Sequence, residues 1–124
     1  MARIVICEDH PPTCRMLERG LEREGLTLAF TSTVQECLGL LSQGTPDLLL
    51  IDLLLQGENT LALIRQLRAE HRELRIIAMT GAGHEWVRAA LVHGADGALE
   101  KPFLLDALED LIGSLLPAAK VPQG

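Results

Sequence analysis

Short β-rich runs alternate with longer stretches of helical periodicity along nearly the whole chain, and this alternation restricts the fold more than any other feature. RIVIC (3–7), LTLAF (26–30), LLLID (48–52), LRIIAM (74–79) and GALE (97–100) are five runs of strand length. Between them Leu17 and Leu21, then Val34, Cys37, Leu38 and Leu41, then Leu61, Ile64 and Leu67 recur at helical spacing. A helix is predicted near 85–93, and Leu104, Leu108, Leu111 and Leu115 mark a fifth. Thr33 with Glu36 makes a capping-box pattern, and Gly25 and Gly44 fall where helices must stop before the next strand. Strict β-then-α order favours a parallel sheet with helices on both faces, and the stretch DLLLIDLLL (47–55) is apolar enough for a strand covered on both sides. The predicted class is α/β, doubly wound, with five strands and five helices.

Length and charge narrow the partners. With 124 residues, 48% of them hydrophobic, the chain can build one domain with a real core, predicted over residues 1–117, but not comfortably two. Residues 118–124, rich in Pro, Ala and Gly without periodicity, read as a tail or the start of a linker. A formal net charge of −6 and no concentrated basic patch argue against direct nucleic-acid or anionic-membrane binding. MARIVICEDH reaches acidic residues too soon for a signal peptide or a membrane helix. Cys7, Cys14 and Cys37 are odd in number, and Cys7 and Cys37 sit in apolar runs, which suits small buried hydrophobes in a reducing compartment. A cytoplasmic location is expected.

In open α/β sheets ligands gather beyond the carboxyl ends of the strands, near the switch in strand order. There the first strand runs into Glu8 and Asp9, the third ends at Asp52, the fourth at Thr80, and the fifth leads into Lys101-Pro102. Singly these residues have ordinary readings: a strand-end acceptor, a helix-capping pair, a strand threonine. Together they put three carboxylates at one edge, where each close pair repels by about 4 kcal/mol at about 4 Å in a surface-like dielectric. Lys101 offsets part of this, and a hard divalent ion with oxygen ligands, Mg²⁺ by preference, offsets the rest. The chain otherwise uses arginine, with Lys120 its only other lysine, so a compact point charge is being kept at position 101. A phosphoryl group on Asp52 would add oxygens for the metal, for Lys101 and for the Thr80 hydroxyl, which makes the set a phosphoryl-transfer centre with Asp52 as nucleophile. His10, His71, His84 and His93 are read as solvent-exposed, and none forms a metal pair.

At these positions the sequence resembles the receiver domain of two-component response regulators. The likeness covers residues 3 to about 116: Glu8-Asp9 after the first strand, Asp52 ending the third, Thr80 followed by Gly81 and Ala82, and GADGALEKPF (94–103) around Lys101. The resemblance implies a flavodoxin-like sheet of order 2-1-3-4-5 and acceptance of phosphate on Asp52 from the phosphohistidine of a sensor histidine kinase or phosphotransfer protein. It implies Mg²⁺ held by Glu8, Asp9, Asp52 and the backbone carbonyl of Leu54, with Thr80 and Lys101 on the phosphoryl oxygens. It further implies a cis Lys101-Pro102 bond, and a signalling domain that catalyses only its own phosphorylation and dephosphorylation. The response would be read on the face of the fourth helix, fifth strand and fifth helix, a possible homodimer surface carrying Asp106, Glu109 and Asp110.

The chain departs from the family pattern in two places. Three positions before the lysine, where the family usually carries Tyr or Phe, stands Ala98, which puts the usual coupling of threonine movement to the surface in doubt. Phe103 and Trp86 are candidate substitutes; Trp86 is read as core cover or as a partly exposed interface anchor. After Asp52, Leu53-Leu54-Leu55-Gln56 replaces the usual polar residue and proline. Leu54 and Ala82 occupy positions that in the family help or hinder the hydrolytic water, and both are apolar, so a long-lived phosphoryl group is expected. The alternative function is a degenerate receiver that binds partners without phosphorylation. A flavin-binding or hydrolytic enzyme is disfavoured, because EDHPP replaces a Gly-rich phosphate loop after the first strand and no G-x-S-x-G elbow is present.

Overall fold

The structure is a computed structural model and describes residues 2–22 and 25–116; the expected tail at 118–124 lies outside the described residues. In chain order the elements are β1 (Arg3–Cys7), α1 (Pro11–Glu22), β2 (Thr27–Thr31), α2 (Val34–Ser42), β3 (Leu48–Asp52), β4 (Leu54–Leu55), β5 (Glu58–Asn59), α3 (Leu61–Glu70), β6 (Arg75–Thr80), α4 (His84–His93), β7 (Gly97–Glu100) and α5 (Leu105–Leu115). Five of the strands pair in parallel in the order β2-β1-β3-β6-β7, which is the expected 2-1-3-4-5 arrangement. Every residue of β3 is buried, as the apolar run predicts for a central strand covered on both faces.

Side chains alternate between two cores. Val5, Cys7, Leu49, Ile51, Ile76 and Ala78 pack with Cys37, Ile64, Leu67 and Ala90 of α2, α3 and α4. Ile4, Ile6, Leu48, Leu50, Ile77 and Met79 pack with Leu17, Leu21, Leu108 and Ile112 of α1 and α5. Fully burying one such side chain stabilises the fold by about 1.5–3 kcal/mol, so the two-residue period fixes which face each strand turns to which helices.

The helix signals hold with three corrections. Thr33 accepts from Glu36 N–H at 3.1 Å as in a capping box, but the Glu36 carboxylate reaches one residue further back, to Ser32 N–H at 3.0 Å. Leu104 is outside α5 and 77% exposed, and Leu38 is on the open side of α2. The buried stripe of α5 runs through Leu108 and Ile112 instead, because the helix begins only after Leu104, in extended conformation, has turned the chain. Gly25 and Gly44 both have positive φ just past the ends of α1 and α2. His10 and His84 are exposed, whereas His71 and His93 are half-buried, His93 Nδ1 lying 2.8 Å from Ala89 O.

Arg68, which carries no sequence signal, joins the loop after α3 to the loop after α4. Its guanidinium donates to the carbonyls of Gly94 at 2.9 Å and Leu74 at 2.7 Å and to Asp96 Oδ2 at 2.6 Å, while Asp96 also accepts from Ile76 N–H. The planar fork thus satisfies carbonyls in the loops that follow α3 and α4. Among the described residues no helix is long and apolar enough to cross a membrane.

Candidate phosphoacceptor site

Strand order reverses at β1, with β2 on one side and β3 on the other, so the crevice beyond the carboxyl ends of β1 and β3 is the switch point. Glu8 and Asp9 leave β1 there and Asp52 ends β3. One oxygen from each of these three carboxylates lies within 4.8 Å of the other two, the sole such metal-capable group among the described residues. The Lys101 ammonium arrives from the end of β7 and donates to Glu8 Oε1 and Asp52 Oδ2, both at 2.6 Å. The Lys101-Pro102 bond is cis, as the sequence resemblance implies. Asp52 Oδ1 accepts from Leu54 N–H at 3.0 Å. Thr80, at the end of β6, holds its hydroxyl 3.0 Å from Ala82 N–H, and Lys101 N–H donates to its carbonyl at 2.7 Å. Asp52, Thr80 and Lys101 share the wall of an open cavity of about 460 Å³ with His10, Leu54, Gly81 and Ala82. The five side chains singled out from the sequence, Glu8, Asp9, Asp52, Thr80 and Lys101, therefore meet at one sheet edge.

The electrostatics are those of an unbalanced site. Burial, and then the adjoining Asp52 carboxyl, push Glu8 up to about 8. Burial pushes Asp52 up too, but the Glu8 carboxyl, Lys101 and Leu54 N–H outweigh it and hold Asp52 below its ordinary range. Burial pulls the Lys101 ammonium down, yet contacts with Asp52 and Glu8 leave it more firmly protonated than usual. Glu8 and Asp52 therefore titrate as a pair, with the proton held on Glu8 and the charge on Asp52. Asp52 is left as the charged member of the pair. Glu8 Oε2 is fully buried and has no hydrogen-bond partner. An orphaned acid oxygen among clustered carboxylates, with one ammonium between them, matches the donor set a hard divalent cation selects.

The chain matches the family model for the response regulator receiver domain over residues 4–113. It belongs to that family. A two-component response regulator from Clostridium difficile superposes with TM-score 0.87 at 22% identity, covering 96% of this chain and 98% of that one. A response regulator, described as putative, from Chloroflexus aurantiacus J-10-fl has TM-score 0.85 at 26% identity, covering 92% and 96%. The response regulator TrrA from Thermotoga maritima, solved in complex with Mg²⁺ and BeF, has TM-score 0.83 at 26% identity, covering 94% and 100%. No curated protein sequence matches the chain. The protein is thus a signalling domain with the flavodoxin-like receiver fold, of a family phosphorylated on aspartate and served by histidine kinases.

Within this receiver two features escaped the sequence. Residues after Asp52 form a hairpin, β4 with β5, that turns on Gln56 (φ 50°) and Gly57 (φ 79°). Positive φ at both central residues matches the twist of the two short strands, and Asp9 Oδ2 holds the tip by accepting from Gln56 N–H at 3.0 Å. Thr60, fully buried, donates its hydroxyl to the Asp52 carbonyl at 2.8 Å. The sequence signal there, a threonine ahead of the Leu61, Ile64, Leu67 stripe, reads only as a helix cap. The departure at Ala98 is placed as well: Ala98 and Trp86 pack, half-buried, against the same core on the α2–α4 side, whereas Phe103 packs on the opposite face. Of the two candidate substitutes, Trp86 alone shares the face of position 98.

Proposed function

We propose that Asp52 is the phosphoacceptor of this receiver. A carboxylate oxygen attacks the phosphorus of a phosphohistidine on a sensor histidine kinase or phosphotransfer protein. The P–O bond forms, the N–P bond breaks, and imidazole leaves with the bonding electron pair and takes up a proton. Lys101, already on Asp52 Oδ2, stays with the oxygens of the transferred group, and the Thr80 hydroxyl turns from Ala82 N–H toward them. The observation that carries this reading is a nine-tenths buried Asp52 side chain gripped by Lys101 at 2.6 Å at the wall of an open cavity. Incubation with acetyl phosphate and Mg²⁺ tests it: the peptide containing Asp52 should gain the mass of one phosphoryl group. A degenerate receiver, acting only as a docking module, is the weaker reading because its acceptor set would have no use.

Glu8, Asp9, Asp52 and the carbonyl of Leu54 would hold Mg²⁺, and the orphaned Glu8 oxygen and the Mg²⁺–BeF complex of TrrA support this choice. When bound, the ion neutralises charge on the transferred group. Because Glu8 holds a proton up to about pH 8, Mg²⁺ must displace it. The apparent Mg²⁺ affinity should rise from about pH 6 to about pH 8. The raised acid has the opposite effect on the metal-free fold: the native state binds a proton that the unfolded chain releases, so stability falls as pH rises through this window. Calorimetric Mg²⁺ titrations that give one affinity across the window would refute this.

The domain, taken as residues 1–117, acts in the cytoplasm as a switch and not as an enzyme on other substrates. Phosphate adds roughly two negative charges at the sheet edge, and the α4–β7–α5 face passes the change to a partner or a second copy. Leu91 and Val92, both exposed on α4, and the exposed Asp106 and Asp110 on α5 support a mixed apolar and acidic contact there. The net charge of −6 supports the absence of direct nucleic-acid binding. Leu54, 58% exposed, and Ala82 bring no polar group to the cavity mouth. The acyl phosphate should therefore persist for minutes or longer; complete loss of label within seconds in Mg²⁺ would contradict this.

A further inference from the structure

Thr60 stands at the N-cap of α3 but does not cap it: its side chain makes no bond to the helix's own first amides, and Asn59 Oδ1 serves Leu61 N–H at 2.8 Å instead. The Thr60 hydroxyl is turned the other way, onto the carbonyl of Asp52 at 2.8 Å, while Thr60 N–H donates to the next carbonyl, that of Leu53, at 3.0 Å. One fully buried residue thus fixes two successive peptide planes beginning at Asp52. Leu53 N–H is tied to Met79 O on β6 at 2.8 Å, and the hairpin tip is tied to Asp9 at 3.0 Å. The short path from Asp52 to Leu54 is therefore anchored to the sheet, to α3 and to the acidic pair.

We infer that Thr60 is a positioning residue for phosphoryl transfer to this domain: its hydroxyl, by holding the Asp52 carbonyl, aims the Asp52 carboxylate at the incoming phosphorus and sets the backbone that leads to Leu54. The inference rests on Asp52 being the acceptor. Asp52 Oδ1 is itself bonded to Leu54 N–H at 3.0 Å, so a turn of the 52–53 peptide moves the nucleophile and the Leu54 backbone together. Displacements of about 1 Å at a reacting group cost up to about 100-fold in rate. A cap alone would alter only stability.

The test compares wild type, Thr60→Val, which keeps the shape without the donor, Thr60→Ala, and Thr60→Ser, which keeps the donor. Acetyl phosphate labelling is followed at saturating Mg²⁺, with Mg²⁺ affinity and thermal melting measured separately, at a temperature where circular dichroism shows each variant folded. Thr60→Val and Thr60→Ala should be labelled about tenfold or more slowly, with weaker Mg²⁺ binding, and Thr60→Ser should regain most of the rate. Wild-type rates in whichever of the Val and Ala variants folds, with only the melting temperature lowered, would overturn the inference and leave the acceptor reading intact. A wild-type chain that takes no label on Asp52 would sink the acceptor reading and this inference with it.

Discussion

Replacing Asp52 with asparagine should abolish acceptance of a phosphoryl group from acetyl phosphate. The amide keeps the shape but has no anionic oxygen to attack phosphorus and cannot carry a stable acyl phosphate. Intact-mass spectrometry should show one added phosphoryl group on wild type and none on Asp52→Asn; an adduct of equal size on the variant would place the chemistry on another residue. The same substitution has a second readout that loss of folding cannot imitate. Asp52 and Glu8 share one crowded edge, and their mutual repulsion is part of what drives Glu8 up to about 8. Removing one of the two acids relieves that repulsion, so Asp52→Asn should be at least as stable as wild type without metal and respond less to added Mg²⁺.

Lys101→Met should lower the labelling rate by about 10²–10³-fold, the usual cost of removing one preorganised charge donor from a developing anion. Lys101→Arg should not restore it, because a planar fork cannot reproduce an ammonium 2.6 Å from two separate carboxylates. Metal-free Lys101→Met should also lose about 1–3 kcal/mol of stability at neutral pH, less than for a fully buried pair because the Lys101 side chain is 21% exposed. The sign follows from protonation. Without the ammonium, Asp52 loses a contact that holds it ionised, so the loss grows as pH rises and shrinks once the acids are protonated. Urea unfolding at about pH 5 and about pH 8 measures both the loss and its slope, and an equal deficit at the two pH values would contradict the charge argument.

Much of this was legible in the chain because it depends on period and order. Ile4 and Ile6 face α1 and α5 while Val5 and Cys7 face the other layer, as alternation along a strand requires. The β-then-α order constrained the sheet to be parallel, and a parallel sheet brings its carboxyl-end residues to one edge. Hence Glu8, Asp9, Asp52, Thr80 and Lys101 could be grouped before any distance was known. Leu104 shows where periodicity misleads: it keeps the helical spacing of Leu108 and Leu111, yet α5 has not begun at that residue.

Other roles belong to atoms whose neighbours are remote in sequence, and these follow from the folded arrangement alone. Whether the Thr60 hydroxyl caps a helix or braces Asp52, whether Arg68 is a surface charge or the tie between two loops, and which side of the sheet Trp86 and Phe103 occupy are set by packing across the fold. The ionisation of Glu8 belongs here too, since it depends on how far water is excluded and on the distance to Asp52 and Lys101, neither of which is a property of residue order. The sequence determined the strands, their faces and the residues at their ends, because those follow from local backbone geometry and hydrophobic period. Hydrogen-bond direction and proton affinity came from three-dimensional proximity, since a donor or a charge acts on whatever the folded chain brings within a few ångström.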